Sequence, residues 1–161
     1  MNKVNVATTI VVHAAPDRVW TYLCDAHMPT AAPWCFRLGV PTPRECTIVG
    51  KANGVGAQRQ CRTDKGFIDQ RITEWVPPNR LTFVASSDTI GMYKHVKSMQ
   101  DTFLLESVPG SVAGTRLTRL THFETTGAFA FFKAWLFKLT VRRLHNYVMV
   151  GFKTLAERRE E

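Results

Sequence analysis

The chain has 161 residues, 45% of them hydrophobic, 21% charged and 11% aromatic, a composition that excludes an intrinsically disordered segment and fits an ordinary globular fold. A chain of this length buries about 68 to 70% of its unfolded surface, enough for a core that also encloses a cavity, and one domain over 1–161 is expected. The net charge of +8 raises nucleic acid as a partner, but the excess is spread along the chain rather than gathered on one segment, and no nucleic-acid partner is expected.

Near the N-terminus Val4, Val6, Thr8, Ile10 and Val12 take every second place, with Lys3, Asn5, Thr9 and His13 among the residues between them. That period belongs to a half-buried strand and not to the uniform apolar run of a secretory signal, so a strand and a cytoplasmic protein are expected. Ala14-Ala15-Pro16-Asp17 then predicts a helix start. Proline suits the first turn, where its missing N–H has no partner to lose, and Asp17 favours the positive end of the helix dipole. Val19, Trp20 and Leu23 form its inward stripe. Residues 27–43 carry four prolines around Trp34 and Phe36, which predicts a second short helix or turn followed by irregular chain.

Six strands are expected next, over Glu45–Gly50, Gly56–Thr63, Gly66–Val76, Arg80–Ser87, Lys97–Ser107 and Gly114–Thr125. They are separated by turn sequences such as Asn53-Gly54, Pro77-Pro78-Asn79 and Pro109-Gly110. A long helix over 128–159 ends the chain. The longest nearly apolar stretch, Gly127–Leu139, is broken by Lys133 and falls short of the ~20 residues of a membrane span. The expected fold is therefore α+β: a curved antiparallel seven-stranded sheet around a long C-terminal helix, with two short helices after the first strand.

Three segments carry a resemblance to a known group of proteins. They are Ala15-Pro16-Asp17-Arg18-Val19-Trp20-Thr21-Tyr22-Leu23-Cys24-Asp25, Arg71-Ile72-Thr73-Glu74-Trp75-Val76-Pro77-Pro78-Asn79-Arg80-Leu81-Thr82-Phe83, and Gly114-Thr115-Arg116-Leu117-Thr118. With the order of elements, they resemble the START-like (SRPBCC) superfamily, the helix-grip fold, and within it the polyketide cyclase/dehydrase and lipid transport group. The resemblance implies a pocket for a hydrophobic small molecule or lipid, with chemistry in only some members. It brings no universal catalytic set, because the matching residues are helix packing, turns and a strand start.

The residues themselves offer little metal or nucleophile chemistry. His13, His27, His95, His122 and His145 lie far apart in the sequence, Gly50–Gly56 lacks the Lys-Ser/Thr ending of a phosphate loop, and there is no Gly-x-Ser-x-Gly elbow. No metal and no cofactor are expected. Cys24, Cys35, Cys46 and Cys61 form no Cys-x-x-Cys pair and are read as free, mostly buried thiols.

The last two strands are more informative. Met99, Phe103 and Leu105 on one and Leu117 and Phe123 on the other share odd parity, which assigns odd positions to the cavity face and turns Asp101 and Arg119 inward. A hairpin closed around 109–113 is expected to place Asp101 opposite Arg119 and Phe103 opposite Leu117. That pair reads as a structural ion pair, as a polar anchor for a ligand or, with the opposite parity, as two outward charges. Tyr93 and His95 are expected in a loop that borders the entrance, as pocket or plain surface residues, and Trp34 either as packing or as a cap on the same mouth, with Gly50–Gly56 as a mobile loop beside it. Trp75 reads as core, while Asp69, Arg71 and Thr73 compete with Ile68, Ile72 and Val76 for the inner face.

On the long helix, Phe137, Val141, Leu144, Val148, Phe152 and Leu155 fall in one stripe that reads as ordinary core. Phe129, Phe132, Trp135, Leu136 and Leu139 project to the other side, more than a monomer usually exposes. A separate first turn folded over the pocket, a homodimer interface and a peripheral membrane contact are the three readings of that patch. The function expected is binding or transport of a hydrophobic small molecule (lipid, isoprenoid or polycyclic aromatic). The alternative is a polyketide cyclase/dehydrase-type enzyme, with Asp101, Arg119, Tyr93 and His95 as acid, base or orienting groups.

Overall fold

The computed structural model describes residues 2–28, 34, 36, 40–50, 53–110, 113–127 and 129–158. Strand β1 (Asn2–Val12) leads through helix α1 (Pro16–Cys24) to β2 (Asp25–His27). Then follow β3 (Pro43–Ile48), β4 (Gln58–Thr63), β5 (Gly66–Val76), β6 (Arg80–Asp88), β7 (Val96–Ser107), β8 (Thr115–Thr125) and the long helix α2 (Ala130–Glu157). All eight strands belong to one curled antiparallel sheet in the order β1-β8-β7-β6-β5-β4-β3-β2. From β2 onward each strand pairs with its neighbour in sequence, while β1 returns to pair with β8, so α1 carries the chain from one sheet edge to the other.

The local causes follow the sequence closely in β1 and α1. Val6 and Val12 of the alternating set are buried. In α1, Pro16 occupies the first turn with Asp17, and Val19, Trp20 and Leu23 are buried; Trp20 meets Trp75 edge to face with ring centroids 5.0 Å apart. On β5, Ile72 is buried and Trp75 packs on the core, while Arg71 and Thr73 are exposed. A register shift between Ile72 and Glu74 lets Ile72 and Trp75, three residues apart, both face inward, because a bulge resets the period-two alternation.

Three expectations need correction. The sheet has eight strands, not seven. The extra one, β2, is three residues long, too short to show a period, and is held by pairing of Ala26 with Cys46 and by the Met28 N–H donating to Arg44 O at 2.7 Å. The second short helix falls largely outside the described residues; of that segment, Trp34 is exposed and Phe36 is buried.

The register of the β7–β8 hairpin differs from the expected one by two. Asp101 pairs with Thr121, Phe103 with Arg119 and Leu105 with Leu117. The Val108 N–H donates to Gly114 O at 2.9 Å, so the hairpin centres one residue beyond Gly110. Since the slip is even, every side chain keeps its face.

The last correction concerns the thiols. Cys46 and Cys61 face each other across β3–β4 and form a disulfide. Cys24 is the free thiol among the described residues, its pKa pushed up to about 11 by burial, and Cys35 lies outside them. Sequence spacing hid the pair because the hairpin between β3 and β4 brings positions 15 apart into direct register.

Helix α2 lies over β1 and β8 on the concave face as one continuous helix, so the patch at its start is not a separate turn folded over the pocket. Phe129, Phe131, Phe132, Trp135, Leu136 and Leu139 are exposed. No described helix is long and apolar enough to cross a membrane.

Candidate functional site

The sheet curls away from α2 on one side and leaves a cavity of about 670 Å³ between the two layers, within the range of small-molecule sites. Phe137, Val141, Leu144, Val148 and Phe152 of α2 form one wall and Phe83, Met99, Phe103 and Phe123 of the sheet the other. The helix stripe read from sequence as ordinary core is thus also the roof of a cavity. Residues that line the cavity yet are exposed, Lys65, Lys94, His95 and Leu136, mark its opening between the β4–β5 turn, the segment before β7 and the first turns of α2.

A buried polar chain runs along β8 beside this cavity. Arg119 Nε donates to Asp101 Oδ1 at 3.0 Å, and the Thr121 hydroxyl donates to the same carboxylate oxygen. His145 on α2 reaches Thr121 Oγ1 through Nε2 at 2.6 Å and Thr8 Oγ1 on β1 through Nδ1 at 3.0 Å. Thr121 has a single proton and gives it to Asp101, so Nε2 of His145 carries the ring proton and Nδ1 accepts from Thr8. The chain therefore ties β1, β7, β8 and α2 together.

Its electrostatics are consistent with that assignment. Burial alone would raise the Asp101 carboxyl, but the Arg119 charge and the hydrogen bonds from Arg119 and Thr121 outweigh it and hold the group below its ordinary value. Burial, with Arg119 adding to it, pushes His145 down to about 3, so the ring is neutral at pH 7.

A second arginine enters the cavity from the opposite half of the sheet. Arg59 on β4 is 2% exposed, stacks 4.6 Å above the Phe83 ring and donates from Nη1 to Gln70 Oε1 at 2.5 Å, with Cys61 Sγ at 3.8 Å from the same nitrogen. Its Nε has no hydrogen-bond partner among the described residues. Burial, followed by repulsion from Arg119, lowers its pKa to about 10, so it stays charged at pH 7.

The residues singled out in the sequence fall into three places. Met99, Phe103, Phe123, Arg119 and His95 are in the cavity wall. Asp101 lies behind it, against Arg119, and Leu105 and Leu117 belong to the close-packed core rather than the wall, because the sheet is packed tightly at that end. Tyr93 and Trp34 are not in the wall either. The Tyr93 hydroxyl donates to Ala85 O at 2.5 Å, and Trp34 points to solvent with 72% exposure. None of the described residues of the Gly50–Gly56 loop lines the cavity.

Arg59, Gln70 and His145 were not singled out from the sequence. His145 does carry a signal, since it is four residues from Val141 and three from Val148, on the buried face of α2. Arg59, Cys61 and Thr63 share the alternation of β4, and all three line the cavity. No group of three or more His, Cys, Asp or Glu side chains able to hold a metal occurs among the described residues.

The sequence matches the model of a family described as polyketide cyclase / dehydrase and lipid transport over residues 3–157. No curated protein matches it. Among solved structures, the Zhui aromatase/cyclase from Streptomyces sp. R1128 superposes with a TM-score of 0.70 at 16% identity, over 98% of this chain and 96% of that one. A START superfamily protein from Mycobacterium smegmatis gives 0.66 at 10% identity, over 95% and 97%. Norcoclaurine synthase from Thalictrum flavum, in complex with dopamine and hydroxybenzaldehyde, gives 0.64 at 14% identity, over 99% and 90%. At these identities the likeness concerns the fold.

Proposed function

The chain belongs to the polyketide cyclase/dehydrase and lipid transport family, and from that premise we propose that it binds or carries a hydrophobic small molecule, a lipid, isoprenoid or polycyclic aromatic, in the cavity between sheet and α2. The observation that carries this reading is the cavity itself, about 670 Å³ with phenylalanine, valine, leucine and methionine on both walls. Burial of apolar surface there contributes roughly 25 cal/mol per Å², while a few polar groups set orientation.

A cyclase or dehydrase acting in the same cavity is the second reading, and family membership allows it as well. The geometry favours binding. Asp101 is ionised and turned toward Arg119 and Thr121, the Tyr93 hydroxyl is engaged with backbone, and His145 is held between two threonines. The exposed apolar start of α2 adjoins the opening through Leu136, which fits delivery to or from a membrane surface, or a second copy of the chain, at that face.

Native mass spectrometry of freshly purified protein, followed by displacement of an environment-sensitive apolar dye, tests the reading. A retained small molecule, or dye displacement by fatty-acyl, isoprenoid or polycyclic ligands at micromolar levels, is the expected result. A protein that takes up neither dye nor ligand overturns it.

A further inference from the structure

The cavity wall carries four cationic side chains, Arg59, Arg119, Lys65 and Lys94, and no Asp or Glu among the described residues. At the opening, Lys65 and Lys94 are solvated and their charges screened. Inside, the two arginines differ. Arg119 is answered by Asp101 directly behind it. Arg59 has no carboxylate within ion-pair distance among the described residues; it has an amide oxygen, a sulfur and an aromatic face.

A guanidinium has five N–H donors, and the acceptors found for Arg59 both serve Nη1, leaving Nε orphaned. An isolated buried charge is costly unless it is paired. With a pKa of about 10, this one does not escape the cost by losing its proton at pH 7. Nor can a side chain of the wall supply the missing charge.

We infer that the ligand of this cavity is an anionic amphiphile whose carboxylate head pairs with Arg59 at the inner end while its apolar body lies between Phe137, Val148 and Phe152 of α2 and the aromatic rings of the sheet. A carboxylate is the fitting head group because a guanidinium fork and a carboxylate match in plane and spacing. A single charge also balances the cavity, where Asp101 already neutralises Arg119. Gln70 acts as a positioning residue, holding the guanidinium against Phe83. The inference rests on the binding reading and names the class of ligand within it.

Paired probes separate the two. Pyrenebutyrate and tetradecanoate carry the carboxylate, and pyrenebutanol and tetradecanol are the same bodies with a neutral head. On the intact protein each acid is expected to bind at least tenfold tighter than its alcohol, a difference of about 1.4 kcal/mol. The preference should survive high salt, because the pair is buried, and survive Lys65→Ala and Lys94→Ala.

Arg59→Met should abolish the preference, so that acid and alcohol bind equally, and Arg59→Lys should retain part of it. Equal binding of acid and alcohol by the unmodified protein overturns the inference and leaves the binding reading standing, as does a preference that persists in Arg59→Met or vanishes in Lys65→Ala and Lys94→Ala. Failure of all four probes to bind, with no dye displaced, overturns both.

Discussion

Arg119 and Arg59 look into one cavity from opposite halves of one sheet, yet they stand in different physical situations. Arg119, on β8, is 7% exposed and belongs to a closed circuit: Asp101 takes its charge, Thr121 shares the carboxylate, and His145 and Thr8 complete the chain to α2 and β1. Arg59, on β4, is as deeply buried and has an amide oxygen in place of a carboxylate. The same residue type is thus structural where its circuit closes inside the protein, and available to a ligand where the circuit is left open.

The sharpest way to break this comparison is to mutate both arginines alike. Arg119→Met leaves Asp101 buried without its counter-charge and is expected to destabilise the protein by ~3 to 5 kcal/mol, whereas the double variant with Asp101→Leu should recover most of that loss. Arg59→Met removes an unpaired buried charge and should leave the melting temperature of the ligand-free protein unchanged or higher. Chemical denaturation of the unmodified protein, these variants and Asp101→Leu alone decides it: equal losses for the two arginine variants would erase the distinction, and additive losses at Asp101 and Arg119 would deny their coupling.

A smaller effect is expected from acid. His145 has its folded pKa lowered to about 3 from 6.5, so between those values the unfolded chain binds a proton that the folded one does not, and stability falls as pH drops through that window by up to about 1.4 kcal/mol per unit. Asp101, whose folded pKa is also lowered, contributes stability that is present above its ordinary value near 3.8 and is lost below it. Urea midpoints measured from pH 7 to pH 4 should decline, and the decline should flatten in His145→Gln. An unchanged slope in that variant would show that the ring is not the group responsible.

The two halves of the sheet also differ in how far they could be read in advance. On β7 and β8 the large apolar residues Met99, Phe103, Leu105, Leu117 and Phe123 share one parity, so the parity that turns Asp101 and Arg119 inward was legible although the exact register was not. An even slip of two preserved the face, and the long Arg119 side chain still reaches Asp101 on the diagonal. On β4 the sequence Gln58-Arg59-Gln60-Cys61-Arg62-Thr63 is polar on both faces. Nothing local distinguishes an inward arginine from an outward one there, and both Arg59 and the Cys46–Cys61 pair depend on β3 and β5 being in place. On β5, the bulge between Ile72 and Glu74 mixes the faces in a way no fixed period predicts.

That disulfide bounds the less legible half, and its contribution is expected to be smaller still. It closes a separation of 15 residues, for which loop closure in the unfolded chain gives at most ~3 kcal/mol. Cys46→Ala with Cys61→Ala should lower stability by that amount or less. If Arg59 owes its position to Gln70 and Phe83 rather than to the disulfide, the variant should keep its preference for carboxylate over alcohol probes. Loss of the preference with the fold intact would move the positioning role from Gln70 to the disulfide.

The smallest effect on stability, and the largest on behaviour, is expected at the start of α2. Phe132 and Trp135 are exposed and stacked on each other, ring centroids 6.0 Å apart, on the face of the helix opposite Val141, Val148 and Phe152, which are buried. Since they cover no core, Phe132→Ser with Trp135→Ser should shift the melting temperature by no more than an ordinary surface change, about ±0.5 kcal/mol in stability. If the exposed collar at the opening meets a lipid surface, the variant should lose sedimentation with anionic vesicles and slow the transfer of a pyrene-labelled acid between vesicles, while its affinity for that acid in solution is unchanged. If it meets a second copy, light scattering should show the unmodified protein at twice the mass of the variant. A variant that unfolds would return these rings to the core, and one that folds, stays monomeric and still delivers ligand to vesicles at the original rate would leave the patch without a part in either process.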